Sequence, residues 1–191
     1  FDEDTCEPIR FVADEEGPLE LWIGTGVDGR PPLDDYACGV DVSAGVGATP
    51  STMALVSKRT GEKLGQFGHD RLRPGVFAKH MVAVAKWFHD AQLIWEAGGP
   101  GGEVTSQLRL IGYRHLYYRK TNEGGLVPET TDQLGWFPLG NKRRVFESFR
   151  DALGNEYLER SAKVLLECES YRYAEDGDNI EQAKARKSDD P

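Results

Sequence analysis

Tyr36-Ala37-Cys38-Gly39-Val40-Asp41-Val42 is the stretch whose reading decides the fold: apolar and small residues interrupted by one acid, Asp41. Such a run, closed by the glycine-rich Ser43-Ala44-Gly45-Val46-Gly47, has the pattern of a short buried strand. Two further strand-like runs follow, Thr52 to Ser57 and Lys63 to Phe67. Arg59-Thr60-Gly61-Glu62 lies between them, where glycine supplies the backbone angles a tight turn requires. Three consecutive antiparallel strands are therefore expected.

Working outward, Pro74 suits a first helical turn, and Phe77, Met81, Val84 and Phe88 recur on one face of a helix of about four turns. Gln92-Leu93-Ile94-Trp95 then reads as a buried strand ending in Glu96, followed by the loop Ala97-Gly98-Gly99-Pro100-Gly101-Gly102. A helix over Val104 to Leu110 and a strand at His115 to Tyr118 complete a strand-helix-strand unit. Upstream, Leu19-Glu20-Leu21-Trp22-Ile23 alternates like a lead-in strand, so residues 1–33 read as an N-terminal connector and 34–191 as one folded domain. Downstream, Val145, Phe146, Phe149, Ala152 and Leu153 make a helical face with Gly154 placed to cap it. Ser161 opens another helix with Leu165 and Leu166 expected inward, and Tyr171 to Tyr173, Asp176 to Asn179 and Ile180 read as strand and turn. The expected class is α/β, a mixed central sheet with helices on both faces.

Composition fits one soluble-type domain: 191 residues, 39% hydrophobic and 29% charged. No apolar run approaches the roughly 18 residues of a membrane span, and the start, Phe1-Asp2-Glu3-Asp4, is acidic where a signal peptide is basic. Three widely spaced cysteines suggest neither a disulfide framework nor a metal knuckle; they read as reduced, with Cys38 and Cys168 in small core positions. A net charge of −9 argues against phosphate binding by the chain as a whole. The acids concentrate at the ends, however, while bases gather at Arg71/Arg73, Arg114/Arg119/Lys120 and Lys142/Arg143/Arg144. A local basic face is compatible with an acidic total. A chain running from Phe1 to Pro191 also reads as a piece of something longer.

Acids on the first and fourth strands would meet if those strands were neighbours, although Asp41 and Glu96 are 55 positions apart. Hard cations such as Mg²⁺ and Mn²⁺ take oxygen ligands, and two of them can activate a water and stabilise the leaving oxygen of a phosphodiester. Asp41 would bridge both ions and Glu96 would hold the one that activates water. The ordinary alternative makes Asp41 a strand-end acid paired with an amide and Glu96 a solvated cap. Burial of an ionised Asp41 would favour the metal, since an unpaired buried charge is costly. His69, His80, His89 and His115 lack metalloprotease spacing and read as structural or surface residues. The Gly98 to Gly102 loop lacks the order and the lysine of a phosphate cradle, and reads either as room for backbone near metal or DNA or as a plain turn. Lys142, Arg143 and Arg144 lead a helix and could meet backbone phosphate. Tyr117, Tyr118, Trp136 and Phe137 read as core or loop packing rather than base-stacking platforms.

Four segments in order resemble the C-terminal nuclease part of phage terminase large subunits: Gly39 to Gly45, Trp95 to Gly101, Gly135-Trp136 before a Lys/Arg-led helix, and Arg160-Ser161 through Tyr173. No single segment is specific; the ordered set covers the chain from about Tyr36 to its end. The resemblance implies an RNase H-like nuclease domain over 34–191 that cuts double-stranded DNA with Mg²⁺ or Mn²⁺, two ions in all, during genome packaging. It implies work in the cytoplasm of the bacterial host beside a packaging ATPase domain, a small terminase subunit and the portal, with no membrane. No GxxxxGK[ST] phosphate loop occurs, so that ATPase would lie upstream of Phe1. The third acid of the family sits in a late His-x-Asp segment that has no counterpart here. Asp189 or Asp190 supplies that ligand, or it lies beyond Pro191 in a truncated domain. Two other readings stay open: a non-catalytic DNA- or portal-docking module, and another RNase H-like nuclease such as a junction resolvase.

Overall fold

In the computed structural model the described residues are 1–45, 49–120, 130–137, 142–173 and 180–182. They form two compact units, Phe1–Phe137 and Pro138–Pro191, each described here by itself.

The first unit is built on a five-stranded sheet. Its strands are β1 (Leu19–Leu21), β2 (Tyr36–Asp41), β3 (Ser51–Ser57), β4 (Lys63–His69) and β5 (Gln92–Trp95), in the order β1-β4-β3-β2-β5. β2, β3 and β4 form the expected antiparallel meander, and β5 returns parallel to β2. The lead-in strand β1 pairs with the far edge, Leu19 opposite Phe67. Helices α1 (Pro74–Trp87) and α2 (Gly101–Ile111) connect or follow β5.

One sheet face is the core. Tyr36, Cys38 and Val40 of β2 alternate with open positions, and Met53, Leu55, Phe67, Leu93 and Trp95 line up with them. Period-2 alternation forces this separation of faces. Phe77, Ala78, Met81 and Val82 of α1 are fully buried, and Phe77 stacks on Phe67 with ring centroids 5.5 Å apart. Val104 and Leu108 bring α2 to the same face, where Trp95 Nε1 donates to Thr105 Oγ1 at 3.0 Å. Of the two-sided helical covering expected, the helices of this unit supply one side. The opposite face carries Ala37, Gly39, Asp41 and Ile94, of which Gly39 and Asp41 are exposed and Ala37 and Ile94 half-buried.

Two expectations differ in detail. The segment at 115–118 is not a strand of its own: Leu116 makes a single parallel bridge to Leu93, and the regular strand β6 (Tyr118–Lys120) pairs with β7 (Thr130–Leu134) instead. The helix after the glycine loop starts at Gly101 rather than Val104. Cys6, with no role assigned from sequence, is buried beneath the N-terminal segment, which Lys79 and Lys86 tie to α1 through the carbonyls of Glu3 and Thr5. All three cysteines are free; Cys38 is buried and Cys168 half-buried.

The second unit holds α3 (Lys142–Ala152), α4 (Ala162–Cys168) and the hairpin β8 (Tyr171–Tyr173)–β9 (Ile180–Gln182). Ser161 caps α4 by accepting from Val164 N at 3.4 Å, and Gly154 follows α3 with φ +80°. Leu165 and Leu166 do not face inward. They are 39% and 66% exposed, because this two-turn helix has no buried residue. Among the described residues no helix is long and apolar enough to cross a membrane.

Candidate metal centre

β2 and β5 run in parallel with a constant offset, Ala37 opposite Gln92 through Val40 opposite Trp95. Continued one step, the same register would set Asp41 beside Glu96, across a strand spacing of about 4.8 Å. Residues opposite each other share a face. Val40 and Trp95 point into the core, so Asp41 and Glu96 belong to the open face at the carboxyl ends of their strands. The ends of parallel strands are where α/β sheets collect functional groups, because no further residue of the ladder covers them.

Asp41 is exposed and Glu96 half-exposed. The burial cost expected to favour a metal at Asp41 therefore does not arise, since the last residue of β2 falls on the outward beat of the alternation. A different observation replaces it. Among the described residues neither carboxylate takes part in a hydrogen bond or an ion pair, so the amide pairing of the ordinary alternative is absent at Asp41. Beside them, Thr52 stands opposite Asp41 and Gly68 opposite Thr52, which leaves the near side of Asp41 without bulk. Ser43 N donates to Ser51 Oγ at 3.0 Å, fixing the chain as it leaves β2.

Glu96 is held by backbone rather than by side chains. Trp136 N donates to Trp95 O at 2.7 Å and Ala97 N to Trp136 O at 2.7 Å, a parallel bridge that grips the peptide on each side of Glu96. Gly135, at φ +75°, makes this possible; a Cβ there would stand 2.9 Å from Ala97 Cβ and 3.1 Å from Trp95 O. From the other side α2 begins directly under Glu96. A Cβ on Gly101 would lie 1.8 Å from the Glu96 carbonyl oxygen. The glycine cluster is thus neither a flexible turn nor a phosphate cradle: Gly101 and Gly102 are helical, and Gly101 lets two backbones touch.

The remaining sequence candidates separate. Asp189 and Asp190 lie outside the described residues. Lys142, Arg143 and Arg144 occupy the first turn of α3, in the second unit. Among the described residues no three acidic, histidine or cysteine side chains come together as a metal group. His80 stacks on Phe67 at 5.7 Å, with its pKa pushed down by burial, and His89 Nε2 meets Pro31 O at 2.7 Å. Those are structural positions. Tyr118 and Phe137, read as packing residues, are instead 42% and 43% exposed. Sequence reasoning missed the grip on Glu96, which runs through main-chain atoms and leaves a signal only in the glycines.

No protein-family model matches the sequence, and no curated protein matches it. Solved structures do match. The large terminase nuclease from thermophilic phage G20c with bound magnesium aligns at a TM-score of 0.65 and 13% identity, over 95% of this chain and 86% of that one. The same nuclease with bound cobalt gives 0.64 at 13% identity, over 98% and 88%. The large terminase nuclease domain of Thermus phage P74-26 gives 0.61 at 11% identity, over 91% and 79%. At such identities the likeness establishes the fold: the chain has the α/β, RNase H-like fold of phage large terminase nucleases, as its sequence motifs implied.

Proposed function

We propose that this chain is a divalent-metal-dependent endonuclease that cuts double-stranded DNA during phage genome packaging, the nuclease part of a terminase. The observation that carries the reading is the parallel pairing of β2 with β5 up to Val40 and Trp95, the residues just before Asp41 and Glu96, with neither carboxylate engaged by another group among the described residues.

Two unengaged carboxylates are hard oxygen donors, and they fit Mg²⁺ or Mn²⁺ better than any softer ion. That the phage G20c nuclease of this fold is solved with bound magnesium and with bound cobalt supports use of a divalent metal. When bound, a pair of such ions supplies an activated water and stabilises the leaving oxygen of the cut phosphodiester. Asp41 would hold both ions and Glu96 one of them, with Asp189, Asp190 or a residue past Pro191 as the third acid. The chain's own work is positional. Trp136 and Gly101 clamp the peptide of Glu96, which fixes the point from which its side chain extends. Lys142, Arg143 and Arg144 would contact the DNA backbone, and the ATPase domain, the small subunit and the portal would be its partners in the host cytoplasm.

The test is nicking of supercoiled plasmid in Mn²⁺ or Mg²⁺ beside Asp41→Asn, Glu96→Gln and an EDTA control. Nicking by the unaltered chain that all three controls abolish is the expected result. Nicking that survives Asp41→Asn overturns the assignment. Absence of nicking with duplex binding retained favours the docking-module reading, and preference for four-way junctions over linear duplex favours a resolvase.

A further inference from the structure

Phe137 lies near Glu96, and Arg119 lies over the Phe137 ring. An edge atom of the Phe137 ring, Cε2, and Glu96 Oε1 both lie within 4 Å of one point, the Cβ position of Gly98 (3.1 Å and 3.7 Å). The ring is 43% exposed, although it follows directly on the Trp136 bridge that fixes the end of β5. Over it sits the Arg119 guanidinium, its central carbon 5.3 Å from the ring centroid. Arg119 Nη1 donates to Gln133 Oε1 at 2.9 Å, so the base of the β6–β7 pair orients the fork above the ring. The chain has spent an exposed aromatic and a cation on the rim of an acidic site, in a protein of net charge −9.

We infer that Arg119 and Phe137 are strand-positioning residues: the guanidinium takes a backbone phosphate flanking the cut, and the Phe137 ring supports the neighbouring sugar or base. The inference rests on the nuclease reading and deepens it. The chemistry is specific to nucleic acid. A carboxylate pair repels phosphate, so a substrate strand needs a fixed cation close to the acids but not in contact with them. Arginine provides it as a planar fork of five N–H donors. The ring holds the fork flat by cation–π attraction while leaving its own edge open. Aromatic rings beside a basic group are the common platform for nucleotides because every base and sugar offers a face to pack on.

The experiment is fluorescence anisotropy of a short labelled DNA duplex with the whole chain in Ca²⁺ and, separately, in EDTA, over a series of salt concentrations. Arg119→Gln, Arg119→Lys, Phe137→Leu and, as a control at the opposite end of the sheet, Lys58→Gln are compared at matched thermal stability. Arg119→Gln is expected to lower the slope of log affinity against log salt by about 1, while Arg119→Lys keeps the slope. Phe137→Leu is expected to weaken binding at least about fivefold with the slope unchanged, and Lys58→Gln to change neither. An unchanged slope in Arg119→Gln, or an equal loss in Lys58→Gln, overturns the inference and leaves the nuclease reading standing. An unaltered chain that binds no duplex in either condition overturns both.

Discussion

Replacing Gly101 by alanine sets two well-known effects against each other, and the structure decides between them. Helix propensity alone makes glycine to alanine in α2 stabilising by roughly 0.5–1 kcal/mol. Yet the added methyl would stand 1.8 Å from the Glu96 carbonyl oxygen and 2.9 Å from its carbon. An ordinary carbon–oxygen approach is about 3.3 Å, so a gap of about 1.5 Å has to open between two backbones. If α2 retreats, Val104 and Leu108 lose their fully buried places. If the strand end yields, the bridge to Trp136 is strained and Glu96 leaves its line. Overpacking of this kind costs about 1–3 kcal/mol, more than the propensity gain, so the net effect is destabilising. A displacement of about 1 Å at a catalytic group costs on the order of 100-fold in rate, near 2.7 kcal/mol of barrier. Gly102 is the control, being helical with nothing within 4 Å of its Cβ position. Thermal melts and metal-dependent plasmid nicking on Gly101→Ala and Gly102→Ala together form the assay. Gly102→Ala should be as stable as the parent or more so, and fully active. A Gly101→Ala protein that matches it in both readouts would refute the idea that close backbone contact positions Glu96.

Thr105→Val removes the hydroxyl that accepts from Trp95 Nε1 and donates to Gly101 O, leaving a buried indole N–H unpaired. A loss of about 1–3 kcal/mol in denaturant unfolding is expected. Half-buried His80 has its folded-state pKa held below the usual 6.5, first by burial. The unfolded chain then binds the proton more readily, so the contribution is complete above pH 6.5 and is lost as pH falls through the folded value. The melting temperature of the parent should accordingly fall between about pH 8 and pH 5 more steeply than that of His80→Gln. Ser161→Ala deletes the α4 cap and should cost about 1 kcal/mol, read as earlier loss of amide protection in that helix. Duplex affinity should rise on adding Ca²⁺ to the parent and stay flat in Asp41→Asn, by titration at fixed ionic strength.

Legibility followed the kind of contact involved. β2 to β5 and α1 were readable because their side chains carry the period, two in Tyr36 to Val40 and 3.6 in Phe77 to Phe88. The pairing of β2 with β5 was readable too, since an antiparallel meander followed by a helix brings the next strand back beside the first. What escaped is written in main-chain atoms. Trp95 and Ala97 exchange hydrogen bonds with Trp136, and neither bond requires a particular side chain. The early start of α2 escaped for a related reason: two glycines lower local helix propensity, and the tertiary approach to Glu96 overrides it. The depth of Asp41 was misjudged because an apolar run says how buried a strand is along its length, whereas a terminal residue is governed by which beat of the alternation it ends on.

That last point bears on how an acidic protein can handle an acidic polymer. Had Asp41 been sealed in the core, its charge would have needed a permanent partner, and a partner would have competed with any ligand. On the open beat Asp41 is exposed, and Glu96 is half-buried. Two unengaged carboxylates on strands about 4.8 Å apart repel each other and repel phosphate alike. In the proposed site a divalent cation would relieve both repulsions at once, which would tie binding of the substrate to loading of the site. The net charge of −9 then ceases to be an objection to a DNA function. On the proposed reading it becomes part of the control: affinity would be low wherever the metal is missing, and Arg119 over Phe137 would add its charge beside the site.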